Sequence, residues 1–227
     1  MSARAWFVAG THTDVGKTHV ACGLITAARA RGFACEALKP VVSGFDPTDW
    51  TGSDPGRLLQ ALGRTQSPAN LENISPWRFR APLAPPMAAR REGRTLQLAS
   101  ISEFCREALA PAGADLFLVE GVGGLMSPLA DRATGLDLMA DLGLPAILVS
   151  GAYLGAISHL LTALEVLRAR SIDVGAVVIS QCSDPDAPDF GETLDAVLAH
   201  ASEVPVAAVP RDGDSAWADR LLTTLGF

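Results

Sequence analysis

No CxxC pair occurs among the four cysteines, Cys22, Cys35, Cys105 and Cys182, and their spacing matches no zinc pattern. They read as reduced, structural thiols of a cytoplasmic protein. Cys22, inside the apolar run Ala21–Ala28, reads as a small core residue. A basic stripe is also lacking: Lys and Arg total 18 against 25 Asp and Glu, and Arg90-Arg91 is an isolated pair. That excludes binding to a nucleic-acid duplex. There are no internal repeats, no low-complexity tracts and no interdomain linker. The apolar stretch near the N-terminus is too short for a signal peptide. One segment, Leu142 to Leu164, has no Asp, Glu, Lys or Arg and is long enough to span a bilayer. It is interrupted by Gly143, Pro145, Ser150, Gly151, Gly155, Ser158 and His159, so it reads as strand, turn and helix, and no membrane span is expected.

The 227 residues, 48% hydrophobic and 19% charged, have globular composition and fit one α/β domain. Strands are expected at Ala5–Ala9, Cys35–Lys39, Leu116–Glu120, Ala146–Ser150, Ala176–Ser180 and Pro205–Val209. Several are continuous apolar runs, the mark of strands covered on both faces in a parallel sheet. Helices are expected at Gly16–Arg31, Asp54–Leu62, Ile101–Leu109, Leu136–Leu142, Gly155–Arg170, Phe190–His200 and Ser215–Leu225. Ile157, Leu160, Leu161, Leu164 and Leu167 form one helical face. Alternating strands and helices predict a doubly wound, mainly parallel sheet. Ligands of such sheets bind beyond the carboxyl ends of the strands. The stretch Thr65–Gly93, with Pro68, Pro76, Pro82, Pro85 and Pro86, is expected to be irregular and functional.

The sharpest signal is Gly10-Thr-His-Thr-Asp-Val-Gly16-Lys17-Thr18, after an apolar strand and before a helix. It varies the phosphate-loop pattern GxxxxGK(S/T), since five residues rather than four separate the two glycines. Backbone N–H groups from Asp14 to His19, together with the positive end of the helix, can cradle phosphates. Lys17 would supply charge to the terminal phosphates, and Thr18 a hydroxyl for Mg²⁺.

Glu120 ends a buried strand and runs into Gly121-Val122-Gly123-Gly124. An ionised group there needs a partner; a metal or a nucleotide would supply one, and the alternative is an ordinary strand-end carboxylate. Asp54, after Ser53, could be a second metal ligand or part of an ordinary helix N-cap. Lys39, at the end of the second strand, could neutralise developing negative charge or be a solvated strand-end lysine. His159 reads equally as a core or a surface histidine. His12, His19 and His200 share no metal spacing.

Five blocks in this order, Gly10–Thr18, Lys39–Gly44, Ser53-Asp54, Val119–Gly124 and Leu154–His159, resemble the dethiobiotin synthases, P-loop enzymes of similar length. The resemblance implies a carbon–nitrogen ligase that converts 7,8-diaminopelargonate, CO₂ and a nucleoside triphosphate, usually ATP, to dethiobiotin. One amine takes up CO₂ as a carbamate, the carbamate oxygen attacks the γ-phosphate, and the second amine closes the ring and releases phosphate. Carried onto matching positions, Lys17 would contact the transferring phosphate and Lys39 the carbamate. Thr18, Asp54 and Glu120 would hold Mg²⁺. Thr13 and Ser43 would contact substrate, and Leu154, Gly155 and Ser158 the substrate carboxylate of a neighbouring subunit in a homodimer.

The chain departs from the family pattern at His12, Asp14, Ala84-Pro85-Pro86 and Ser158. It also departs at Ser180-Gln181, where some members have an Asn that reads adenine. Ser180, Gln181, Pro210 and Asp214 are the candidates for the base and ribose. A second reading, a nucleotide-switch ATPase of the partition or division-site type, would call for a lysine where His12 stands. A third, an amide-forming enzyme on a corrinoid-like substrate, would call for a glutaminase domain with a nucleophilic cysteine.

Overall fold

A computed structural model describes residues 4–110, 113–211 and 213–227. The elements run β1 (Arg4–Gly10), α1 (Lys17–Ala30), β2 (Cys35–Leu38), β3 (Val41–Ser43), α2 (Asp54–Ala61), α3 (Pro68–Ile74), β4 (Trp77–Phe79), α4 (Pro85–Arg91), α5 (Leu98–Leu109), β5 (Leu116–Glu120), β6 (Pro128–Ala130), β7 (Ala133–Thr134), α6 (Gly135–Leu142), β8 (Ala146–Gly151), α7 (Ala156–Ala169), β9 (Val174–Ser180), α8 (Phe190–His200), β10 (Val206–Val209) and α9 (Ala216–Thr224).

Six strands form the central sheet in the order β10-β9-β8-β1-β5-β2, and every pairing is parallel. β1 lies in the middle. The chain first winds outward to β2 and returns to β5 beside β1, then crosses to β8 and winds out through β9 and β10. The carboxyl end of β1, flanked by β5 and β8, is therefore where the winding reverses, which is where such sheets bind ligands. The composition of the strands explains their place. β5 (LFLVE) and β8 (AILVSG) are buried at every residue, because helices cover both faces. The expected strands and helices are all present, with ends displaced by three residues or fewer.

The stretch from Thr65 to Gly93 corrects the expectation of irregular chain. It holds two short helices and a strand, and Pro68, Pro85 and Pro86 begin the helices rather than break them. Pro68 follows the N-cap Ser67, whose hydroxyl accepts from the Asn70 N–H at 3.2 Å, and Pro85-Pro86 open α4. Proline is tolerated in a first turn because its missing N–H has no intrahelical partner there. β4 pairs in parallel with β3, and β6 with β7 in an antiparallel hairpin, both outside the main sheet.

The charge-free stretch Leu142–Leu164 becomes β8 and the first part of α7. Among the described residues, no helix is long and apolar enough to cross a membrane.

Candidate active site

β1 ends at Gly10, and the chain turns tightly into α1. A Cβ on Gly10 would stand 2.9 Å from the Lys17 side chain. Gly16 has φ 93°, and a Cβ there would meet the Ser180 hydroxyl at 2.8 Å. Both positions therefore demand glycine. Gly16 also caps α1 without a side chain, which leaves the positive end of the helix open toward the loop.

Beneath this turn lies a cluster of charge. Lys39 and Glu120 are each only 2% exposed, Thr18 6% and Lys17 7%. The Lys39 ammonium donates to Glu120 Oε1 at 2.6 Å and to the Gly121 carbonyl at 2.8 Å, and lies 3.1 Å from Asp54 Oδ2. Thr18 Oγ1 donates to the same Glu120 oxygen at 2.7 Å. The other carboxylate oxygen, Glu120 Oε2, is enclosed and has no hydrogen-bond partner. Lys17 Nζ donates to the His12 carbonyl at 3.1 Å.

These positions bear on three open readings. Lys39 is not solvated. Asp54 is not merely a cap: Ser53 is the N-cap of α2, while the Asp54 carboxylate faces Lys39. Glu120 is buried with cationic and hydroxyl partners.

The two lysines respond to burial in opposite ways. Burial pulls Lys17 down to about 8, and the charge of Lys39 adds to that pull. Lys39 is pulled down by burial too, but Glu120 and Asp54 outweigh it, and its affinity for the proton ends above the ordinary lysine range. Asp54 is raised by burial and lowered more strongly by Lys39 and Thr18, so it titrates below the usual carboxylate range.

Beside the loop opens a cavity of about 740 Å³. His12, Thr13, Asp14, Val15, Gly16 and His19 line it, with Ser180 against Gly16, and so do Gln181 and Pro210. Thr13 also borders a second cavity, with Gly124, Met126, Ser127 and His159. Leu154, Gly155 and Ser158 border a third, with Tyr153 and Ile157. Gly121, Val122 and Gly123 carry the chain from Glu120 to the loop, and a Cβ on Gly123 would approach the Thr13 hydroxyl at 3.6 Å. The Ser43 hydroxyl is enclosed without a partner. Asp214 is not brought to the nucleotide-sized cavity; its carboxylate accepts from the Ala216 N–H at 3.1 Å, ahead of α9.

Several cavity residues were not anticipated. Arg57 stands three residues after Asp54, hence on the same face of α2, and forms no salt bridge among the described residues. That spacing was a usable signal. Tyr153 and Arg211 fall in the stretches Gly151–His159 and Pro210–Asp214 that follow strands, where ligands of such sheets bind, but nothing singled out either side chain. The Tyr153 hydroxyl meets His159 Nδ1 at 2.7 Å, and the His159 ring stacks on His12 with centroids 6.0 Å apart. His159 is therefore an exposed histidine of the cavity rim, not a core one. Cys182 also lines the first cavity, whereas burial pushes Cys22 and Cys105 up to about 12 and Cys35 to about 11, as inert structural thiols.

A doubly wound parallel sheet with a glycine-flanked lysine loop at the end of its central strand defines a P-loop nucleotide-binding protein. Solved structures agree on the fold. The hydrogenase maturation factor HypB of Archaeoglobus fulgidus superposes with a TM-score of 0.59 at 15% identity, over 99% of this chain and 91% of that one. The MinC:MinD cell division complex of Aquifex aeolicus gives 0.55 at 12% identity, over 96% and 86%. At such identities the likeness is one of fold alone. An AAA domain family model matches residues 4–219.

Much closer in sequence are proteins named ATP-dependent dethiobiotin synthetase BioD. The one from Phenylobacterium zucineum is 56% identical over 220 residues, 97% of this chain and 94% of the relative. That of Caulobacter vibrioides is 54% identical over 93% and 94%, and that of Methylobacterium nodulans 49% over 91% and 93%. The chain belongs to the ATP-dependent dethiobiotin synthetase family, and so to the ligases of biotin biosynthesis. The partition or division-site reading is not favoured.

Proposed function

We propose that this chain, working as one domain, closes 7,8-diaminopelargonate with CO₂ into the cyclic urea dethiobiotin at the expense of ATP, and that the buried Lys17–Thr18–Lys39–Glu120 cluster performs the chemistry. The observation that carries this reading is Lys39. It is a fully buried cation at the carboxyl end of β2, held between two carboxylates beside a phosphate loop. A lysine so placed is preorganised to meet negative charge as it develops, without reorganising solvent. Lys39 would steady the carbamate oxygen as it attacks. Lys17, with the N–H groups of Asp14 to His19, would hold the transferring phosphate. Thr13 and the unpartnered Ser43 hydroxyl would orient the diamine. The reaction needs no covalent enzyme intermediate, so positioning and charge account for the catalysis.

We also propose that Thr18, Asp54 and Glu120 hold Mg²⁺. Their donors are all oxygens, and Glu120 Oε2 has an enclosed lone pair with no partner. Among the described residues there is no cluster of three or more His, Cys, Asp or Glu able to hold a metal, so the ion would have to rely on the Thr18 hydroxyl and on substrate phosphates. When bound, Mg²⁺ would offset charge on the β- and γ-phosphates. A homodimer is part of the reading. Leu154, 88% exposed beside the substrate-carboxylate candidates Gly155 and Ser158, is the kind of apolar residue a second subunit covers. The four unpaired cysteines fit a cytoplasmic setting.

The test is phosphate release by the purified protein with ATP, Mg²⁺ and bicarbonate, with and without 7,8-diaminopelargonate, and mass spectrometry for dethiobiotin. Release that depends on the diamine and yields that product supports the reading. Diamine-independent hydrolysis with no dethiobiotin overturns it.

A further inference from the structure

Closing a cyclic urea from a carbamic–phosphoric anhydride releases a proton. The second amine attacks the carbonyl carbon, and its nitrogen must shed one hydrogen as H⁺. The buried cluster offers poor places for that proton. Lys39 is held between Glu120 and Asp54, and it engages both carboxylates. Lys17 donates to the His12 carbonyl and is assigned above to the transferring phosphate. The Thr13 and Ser43 hydroxyls are weak bases at neutral pH.

One side chain of the loop differs. His12 and Thr13 line both the first and the second cavity, whereas Asp14 lines the first. His12 Nδ1 lies 2.9 Å from the Thr13 carbonyl oxygen. A carbonyl can only accept, so Nδ1 carries the hydrogen and, in the neutral ring, Nε2 carries the lone pair. That nitrogen has no hydrogen-bond partner among the described residues. Nor does a carboxylate pair with the ring among them, which would hold it charged and unable to accept. Its titratable neighbours are Lys17, on its carbonyl, and the rings of Tyr153 and His159. His159 stacks on it with an interplanar angle of 6°, and the Tyr153 hydroxyl holds His159 by Nδ1. A hydroxyl can donate or accept, so the tautomer of His159 is left open while that of His12 is fixed. His12 is also exposed, so a proton it takes can pass on to water.

We propose that His12 is the proton acceptor of ring closure. Its Nε2 takes the proton that the second amine loses as the C–N bond forms. The C–O bond to phosphate breaks, and its electron pair leaves with phosphate. The buried lysines then make the anhydride, and the exposed histidine helps to consume it. This inference rests on the ligase reading given above.

The experiment measures ADP and dethiobiotin together, with ATP, Mg²⁺, bicarbonate and the diamine, for wild type, His12→Asn and His12→Ala. The Asn amide can keep a donor for the Thr13 carbonyl but has nothing at the place of Nε2. Wild type should release one ADP per dethiobiotin. In His12→Asn, dethiobiotin formation should fall by about 10²-fold or more, the usual contribution of a placed general base. Diamine-dependent ADP release should fall far less, because an anhydride that does not close loses its phosphate to water, so the ratio rises well above one. His12→Ala should behave alike, and added imidazole should bring its ratio back toward one. A ratio of one in both variants overturns the proposal whatever their rates, since the leaving phosphate or water then takes the proton. So does loss of diamine-dependent ADP release in both variants without rescue by imidazole, the sign of a residue that only shapes the loop. A wild type that makes no dethiobiotin sinks the ligase reading itself, and that outcome is seen before any variant is made.

Discussion

At the phosphate end of the cavity, Lys17, Thr18, Lys39 and Glu120 are buried and bonded to one another, to Asp54 or to backbone carbonyls. At the far end, Gln181, Ser183 and Arg211 lie exposed, and the Arg211 N–H donates to the Gln181 side chain. The first region stands at the ends of the central strands β1, β2 and β5, where the surrounding sheet and helices exclude water. The second stands at the rim, after β9 and β10. A charge at the first site acts in a low-dielectric setting and is worth far more than at the rim. Changes at the phosphate end should therefore cost orders of magnitude, and changes at the far wall only small factors.

The largest effects are expected from the two buried lysines, and they should differ in kind. Lys17→Ala and Lys39→Ala should each lower turnover by about 10²- to 10³-fold or more, the usual cost of removing one preorganised charge. Lys17→Ala should also weaken nucleotide binding, while Lys39→Ala acts mainly on kcat. Their stabilities should diverge. Removing Lys39 strands Glu120 as a buried anion, a loss of about 3–5 kcal/mol in Mg²⁺-free protein. Removing Lys17, whose charge burial disfavours, should leave unfolding within about 1 kcal/mol of wild type. Denaturant melts beside steady-state kinetics check both, and equal destabilisation by the two substitutions would erase the distinction.

The next effect is on pH. Lys17 sits near 8, and a bound triphosphate favours its charged form. Nucleotide affinity should be flat below pH 8 and fall roughly tenfold per pH unit above it. Calorimetry in buffers of different ionisation enthalpy should find proton uptake on binding that grows from near zero at pH 7 toward one at pH 9. The same shift makes the nucleotide-free fold gain stability as pH rises from about 8 toward the unfolded lysine value, because the unfolded chain then holds the extra proton. Affinity that does not vary between pH 7 and 9 would remove Lys17 from the phosphate contact.

The smallest effect is expected at Arg57, exposed on the cavity wall and without a salt bridge among the described residues. Arg57→Ala should raise the nucleotide KM by roughly two- to fivefold, leave kcat and stability unchanged, and lose its effect at high salt, as a screened surface charge does. A large kcat defect instead would move Arg57 into the buried cluster's class.

Much of this could be read from the residues in order. The continuous apolar runs of β5 and β8 announced buried parallel strands, and Gly10 through Thr18 announced the phosphate loop. The prolines of the 65–93 stretch misled, because Pro68 and Pro85 end one conformation and begin another, and only the backbone shows which. At the site, sequence gave Glu120 and Lys39 as chemistry-bearing residues but left their alternatives standing.

What the sequence determined by itself is local: which segments pair or coil, since periodicity and turn residues act over a few positions, and which family the ordered motifs belong to. Only the tertiary structure decided that Lys39 and Glu120, 81 residues apart, form a buried pair, that Asp54 joins them while Ser53 does the capping, that Arg57 and Tyr153 reach the cavity, and that His12 stacks on His159. Burial, and with it the strength of a charge, depends on neighbours that the order of residues does not name.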